Sequence, residues 1–290
     1  MFVLQSPATA QMVVDATDHL AFDRPEAWAL AYFTSATLPS GLETPRALKP
    51  GSVAIGFEFG LLPPLSEAQQ LVGFNGTEPQ DLNQSPFFLR PRVTITLPAR
   101  LSLIVAGAPP VKAFGVKPKL LGLALERPVY ETRSWAVGLR AFGQLGSVQG
   151  AYTCPESALA FEPGSPGNPD GCRAVSSDTA SLHYAGGEAS IAYRPNARHG
   201  LSPHAGIGLA YMSVALQVDA LTSGLIDHTR LVSHGTTMFG SGGISVPLTG
   251  GLTASIDVFY SPLSVRRGLG APAQTDGLFN VRTLVTYRLR

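Results

Sequence analysis

Residues Leu252–Ser261 read LTASIDVFYS, and the order of side chains in that run decides the fold. Leu252, Ala254, Ile256, Val258 and Tyr260 fall on one face of an extended chain; Thr253, Ser255, Asp257, Phe259 and Ser261 fall on the other. Successive side chains of a strand point to opposite faces, so this is a strand with one apolar and one mainly polar side. The last segment repeats the pattern. Phe279, Val281, Thr283, Val285, Tyr287 and Leu289 oppose Asn280, Arg282, Thr286, Arg288 and Arg290. Earlier, Val53, Ile55, Phe57, Phe59 and Leu61 oppose Ser52, Ala54, Gly56, Glu58 and Gly60, and Leu89, Val93, Ile95 and Leu97 oppose Arg90, Arg92, Thr94 and Thr96. Less regular strand candidates cover residues 101–108, 117–126, 134–150, 180–194, 204–218 and 231–248.

Composition says what the two faces meet. Charged residues make up 14% of the 290 residues and apolar ones 44%, against roughly 25% charged in an average soluble domain. The 31 glycines and 24 prolines argue against helices, whose interiors disfavour both. A membrane-spanning helix needs about 20 consecutive apolar residues. The longest candidate, LSPHAGIGLAYMSVALQV over 201–218, is diluted by Pro203, His204, two glycines and Gln217. Alternation in segments of ~10 residues is instead the pattern of an all-β, closed antiparallel up-and-down transmembrane β-barrel, with lipid outside and water inside. A soluble lipocalin-like, small-ligand-binding barrel is the rival reading. It needs many charges across its outer face, and this chain has too few. The net charge of +1 and the lack of a Lys/Arg run exclude nucleic acid as an expected partner.

The connections alternate in length. Short ones fall at 97–100, 127–133, 195–201 and 247–251, long or polar ones at 64–85, 150–179, 219–230 and 262–277. Barrels with tight periplasmic turns and long outer loops show this asymmetry, which puts the C-terminal end at the periplasm and gives ten strands from Gly51 to Arg290. The run EAWALAYFTSATL, residues 26–38, does not fit an even barrel as a single strand. Either it is a helix started by Asp23 and Pro25, or two further strands precede Lys49; the expected count is 10–12. Cys154 and Cys172 share one Pro/Gly/Asn-rich stretch without a CxxC or a nearby His, which reads as a disulfide in an outer loop and an oxidising compartment. The chain divides into an N-terminal extension over 1–25 and a transmembrane β-barrel over 26–290. Within the extension, Ala8-Thr9-Ala10 before Gln11 has the form of a signal-peptide tail with its cleavage site.

Over residues 50–290 these features resemble the bacterial outer-membrane β-barrel superfamily: alternating strands, short-turn/long-loop asymmetry and a strand as the last element. The resemblance implies a place in the bacterial outer membrane, with membrane lipid around the belt and the outer-membrane insertion machinery as a partner. Many such proteins end on an aromatic residue; here Tyr287 stands three positions before the end. Trp28, Phe57, Phe59, Phe87, Trp135, Tyr193, Tyr211, Tyr260 and Tyr287 are candidates for the interface girdles of such a barrel.

Charges on the face opposite the apolar one define the candidate lumen: Glu58, Arg90, Arg92, Arg140, Glu188, Asp257, Arg282 and Arg288. Ionised groups persist there only if the lumen is wet or they pair. In one reading Glu58, Glu188 and Asp257 pair with arginines and fill a narrow barrel. In the other, an excess of arginine selects small anionic solutes in porin-like fashion. The expected function is therefore a narrow pore or transport protein, or a structural membrane scaffold. An outer-membrane rim hydrolase is a further alternative. No G-x-S-x-G or HExxH is present, and Gly240-Ser241-Gly242 lacks the spacing. Asp18-His19 and Asp227-His228 are neighbours whose side chains diverge in a strand, and His199 and His204 read as solvated turn residues. No enzyme activity, metal or cofactor is expected, and the oligomeric state is not encoded.

Overall fold

In the computed structural model, described over residues 12–43, 45–46, 48–195, 200–268 and 270–289, ten strands close into one barrel. They are β1 (Val53–Leu61), β2 (Phe87–Thr96), β3 (Ser102–Ala108), β4 (Lys117–Glu131), β5 (Trp135–Gly150), β6 (Asp178–Tyr193), β7 (Ser202–Gln217), β8 (Arg230–Pro247), β9 (Leu252–Ser261) and β10 (Leu278–Leu289). Each pairs antiparallel with its neighbours in sequence, and β10 pairs with β1 to complete the ring. The signal-peptide-like tail at Ala8-Thr9-Ala10, with Gln11, His199 and Arg290, lies outside the described residues.

Turn chemistry explains the two ends. At the short-turn end β2 passes to β3 through Ala99 and Arg100, with the Leu97 amide donating to the Leu101 carbonyl at 2.7 Å. Gly250 and Gly251, at φ 71° and 89°, make the equivalent turn between β8 and β9; both angles lie where a side chain is disfavoured. The other end carries the long loops and is the outer one by the usual asymmetry. Strands β1 and β2 have nine and ten residues, about what a tilted transmembrane strand needs. Strands β4 to β8 run from 15 to 18 residues and rise past the membrane on the outer side.

The exterior is apolar. Ile207 is 72% and Met238 58% exposed, and Leu121, Leu123, Leu139, Leu209, Val258 and Val285 stand around the wall with them. A belt of this extent has no stable place in water. Trp135 and Tyr193 pair at 5.1 Å at the periplasmic rim, where an aromatic girdle belongs.

The run at 26–38 is a helix, α1 (Pro25–Ala36), and the strands that would have made twelve do not form. Pro25 occupies the first turn, where its missing N–H costs nothing. The cap is Arg24 rather than Asp23, whose carboxylate instead accepts from Arg266 at 2.9 Å. The helix is buried almost all round and lies inside the barrel against β6, β7 and β10. Trp28 is therefore a lumen residue, with its indole N–H on the Asp276 carbonyl at 2.7 Å, and not part of a girdle. A helix apolar on every side is stable only when enclosed. Before it, Thr17–His19 pairs in parallel with the outer end of β8. From Thr17 at the outer end the described chain thus descends as α1 and leads down the lumen to β1 at the periplasmic end.

Candidate functional site

The inward face of the wall holds this plug by its carbonyls. Arg90 Nη1 donates to Thr37 O at 2.7 Å, and Tyr184 Oη donates to the same oxygen at 2.7 Å. Gln144 Nε2 reaches Thr37 Oγ1 at 2.9 Å, and Arg140 Nη1 reaches Ser40 O at 2.8 Å. Arg282 donates to Leu38 O and, at 3.2 Å, to Ser35 O, while its guanidinium lies 3.7 Å over the Phe259 ring. The last carbonyls of a helix lack partners within it and carry its negative end. A buried arginine completes both needs.

The same arginines are neutralised from the wall. Arg90 forms a two-pronged pair with Glu58, and Arg140 bridges Glu126 and Glu188. Arg92 stands 3.9 Å from Glu43 on the plug. Glu58, Arg90, Arg92, Arg140, Glu188, Asp257 and Arg282 are all buried inside the barrel, whereas Arg288 is exposed near the end of β10. Glu126 belongs to the cluster and was not singled out from sequence. Its even position on β4, in register with Arg140, is the signal that would have found it.

Asp257 pairs with a histidine and not with an arginine. His204 Nε2 lies 2.6 Å from Asp257 Oδ1. The other ring nitrogen lies 3.4 Å from Ser245 Oγ and 3.3 Å from the Ser202 carbonyl, and Ser255 donates to Ser245 at 2.9 Å. His204 is thus a buried wall residue, contrary to its reading as a solvated turn histidine. The chain of Ser245, His204 and Asp257 has the residue types of a hydrolytic triad, but none of the three borders the cavity described next.

Beside α1 the outer half of the barrel is hollow. A cavity of about 1080 Å³ is floored by Thr37, Arg90 and Gln144, and walled by Leu30 and Phe33 of α1 and by Val148, Leu182 and Leu216. Asp18, Gln80, Asp170, Asp227 and Thr229, from the outer segments, add polar groups at its mouth. Asp18 and His19 both border that mouth without bonding to each other, and His228 stands 3.6 Å from Asp219 on the exposed surface. The Cys154–Cys172 disulfide, with Val218 and Ala220, forms a separate small core in the outer loops beside this mouth.

A closed ring of strands, an apolar exterior and a buried polar interior settle the setting. The chain is a membrane-spanning β-barrel. No family model matches the sequence, and no curated protein matches it. Among solved structures it is similar to an outer membrane channel from Pseudomonas putida F1, at 10% identity, 87% of this chain, 100% of that one and a TM-score of 0.47. It is also similar to Ail, the attachment invasion locus protein of Yersinia pestis, at 12% identity over 83% and 99% of the two chains with a TM-score of 0.34. The toluene transporter TodX from Pseudomonas putida matches at 10% identity over 97% and 79%, with a TM-score of 0.35.

Proposed function

We propose that this barrel is a transport protein that admits small, uncharged, hydrophobic molecules from the outer face into the cavity beside α1. The cavity of about 1080 Å³ carries the reading. Binding sites for small molecules are concave and mostly apolar, with a few polar groups that orient the guest. Its apolar walls and polar mouth fit that description.

Selection of anionic solutes by the lumen arginines has less support. Arg90, Arg140 and Arg282 already donate to carboxylates or plug carbonyls, so a solute anion would have to displace contacts made in a water-poor interior. A scaffold role gives no reason for the void. The plug and the wall, residues 26–290, work as one unit in this reading, with membrane lipid around the belt and β10 as the element met by the insertion machinery.

The test is binding of N-phenyl-1-naphthylamine, an uncharged probe that fluoresces in apolar surroundings, to the purified protein in detergent. Saturable binding is expected, weakened at least tenfold by Leu182→Asp, which places a charge in the cavity wall. An absence of saturable binding by the folded wild type would end the proposal.

A further inference from the structure

The wall is not continuous around the cavity. Pairing of β2 with β3 stops at Arg92 and Ala106, whereas β2 stays paired with β1 up to Phe87 and Leu61, and β3 with β4 up to Ala108 and Leu120. The edge of β2 from Phe87 to Pro91 is thus left without a partner strand. Sequence chemistry accounts for the place. The Thr96 amide donates towards β1 and the Leu97 amide towards β3, so odd-numbered residues of β2 turn their backbone groups to β3. Pro91 is one of them and has no N–H to give. Ser85 Oγ donates to the Phe87 carbonyl at 2.7 Å, satisfying another group of the same edge. Across the gap β3 sits close against β4: a Cβ on Gly107 would lie 2.6 Å from the Leu120 carbonyl oxygen.

The void passes through this gap. Its lining includes Arg90, which faces the lumen, together with Phe57, Leu89 and Pro91, whose positions on β1 and β2 face lipid. Side chains from both faces of one strand border a single cavity only where the cavity crosses the wall. Phe57 is the midpoint of nine-residue β1, so the opening faces the hydrocarbon layer rather than water. Ala108 and Pro109 form the far edge, and Phe114 closes the top by packing on Phe87 at 5.2 Å. Backbone groups without strand partners are tolerated at this depth only where they line a cavity or are covered by protein.

We infer that the gap between β2 and β3 is a lateral portal, through which an uncharged hydrophobic molecule passes between the cavity and the lipid bilayer. The inference rests on the reading of the cavity as a binding site for such molecules and adds the route. Below the floor, the end of α1, the segment that follows it and their arginine contacts fill the lumen, so the low-energy path is sideways into a solvent that already suits the cargo.

The experiment joins Leu89→Cys to Ala108→Cys with a reducible bis-maleimide in the full-length protein, whose two native cysteines are already bonded to each other. Ala108→Phe, which narrows the same gap, serves as a second closure. Each variant is first shown to be folded by its heat-shifted gel mobility. Saturable N-phenyl-1-naphthylamine binding in detergent then reports the cavity, and the rate of probe transfer into the membrane of expressing cells reports the route. The expected result is saturable binding by the wild type, transfer slowed at least fivefold by the cross-link relative to the same double variant before cross-linking and by Ala108→Phe relative to wild type, and recovery on reduction of the cross-link. Binding with unslowed transfer in both closed variants would overturn the portal and leave the cavity reading standing. Loss of binding by the wild type would remove both.

Discussion

Arg282→Met tests how the plug is held. Arg282 is fully buried, and its guanidinium donates to the Ser35 and Leu38 carbonyls at the end of α1. Methionine fills similar space but donates nothing. A hydrogen bond from a charged donor contributes about 1.5–3 kcal/mol, so removing two of them favours release of the helix end by about 3–6 kcal/mol. Loss of the stacking on Phe259 adds to this. With each 1.4 kcal/mol a factor of ten, even the lower bound raises the open population by about two orders of magnitude. Hydrogen-exchange mass spectrometry of the detergent-solubilised protein reads this directly. Peptides covering Pro25–Ala36 should exchange about a hundredfold faster in the variant, while those from β4 to β8 keep their protection. Arg282→Lys, with one compact cation, should fall between. A change under threefold in the α1 peptides of a folded barrel would show that the arginine contacts do not anchor the plug.

Other outcomes follow from single positions. Gly243→Ala should abolish the heat-shifted folded band, because its Cβ would fall 1.8 Å from Asp257 Oδ1 and 2.1 Å from the Ile256 carbonyl oxygen; Gly240→Ala, with nothing nearer than 3.8 Å, should fold normally. Cys154→Ser with Cys172→Ser opens a link spanning 18 residues, a constraint contributing about 3 kcal/mol for a loop near that length. Limited proteolysis should then cut residues 151–177 while the barrel's thermal midpoint stays unchanged, since the bond lies in its own outer core. Partial burial and the adjacent Asp170 carboxyl push Glu78 up to about 7. Because the docked state holds this proton more tightly than the released one, contact between the two outer loops is strongest below the ordinary glutamate range and is lost as pH rises through about 7. Protease sensitivity of the loop at 62–86 should rise over that window, and Glu78→Gln should flatten the profile.

How far the sequence could be read depends on the range of the forces involved. Alternation in Leu252–Ser261 and Leu278–Leu289 is enforced within each strand by the lipid outside and the polar interior, so face and approximate bounds were legible residue by residue. Up-and-down pairing joins sequence neighbours, so strand order followed as well. The two cysteines share one loop, and their bond needed no knowledge of the rest. The inward position of Glu58, Arg90, Arg140, Asp257 and Arg282 came from parity alone.

Partners across the barrel were not legible. His204 and Asp257 both stand in register with Gly243 on the intervening β8, whose missing side chain lets them meet at 2.6 Å, and no single strand's pattern encodes that register. The helix at Pro25–Ala36 has no polar stripe to mark it as amphipathic, because the barrel surrounds it on every side. From sequence its arginine neighbours were charges awaiting carboxylates or solutes; their carbonyl acceptors on the plug exist only once α1 lies in the lumen. Pro91 was plainly visible, but its consequence depends on which strand its missing N–H would have faced. Local periodicity, then, determined a membrane barrel and the orientation of its side chains, because lipid and water act on each residue separately. Tertiary structure alone decided what fills the lumen, where the cavity lies and where the wall parts, because those depend on groups that meet only when the ring closes.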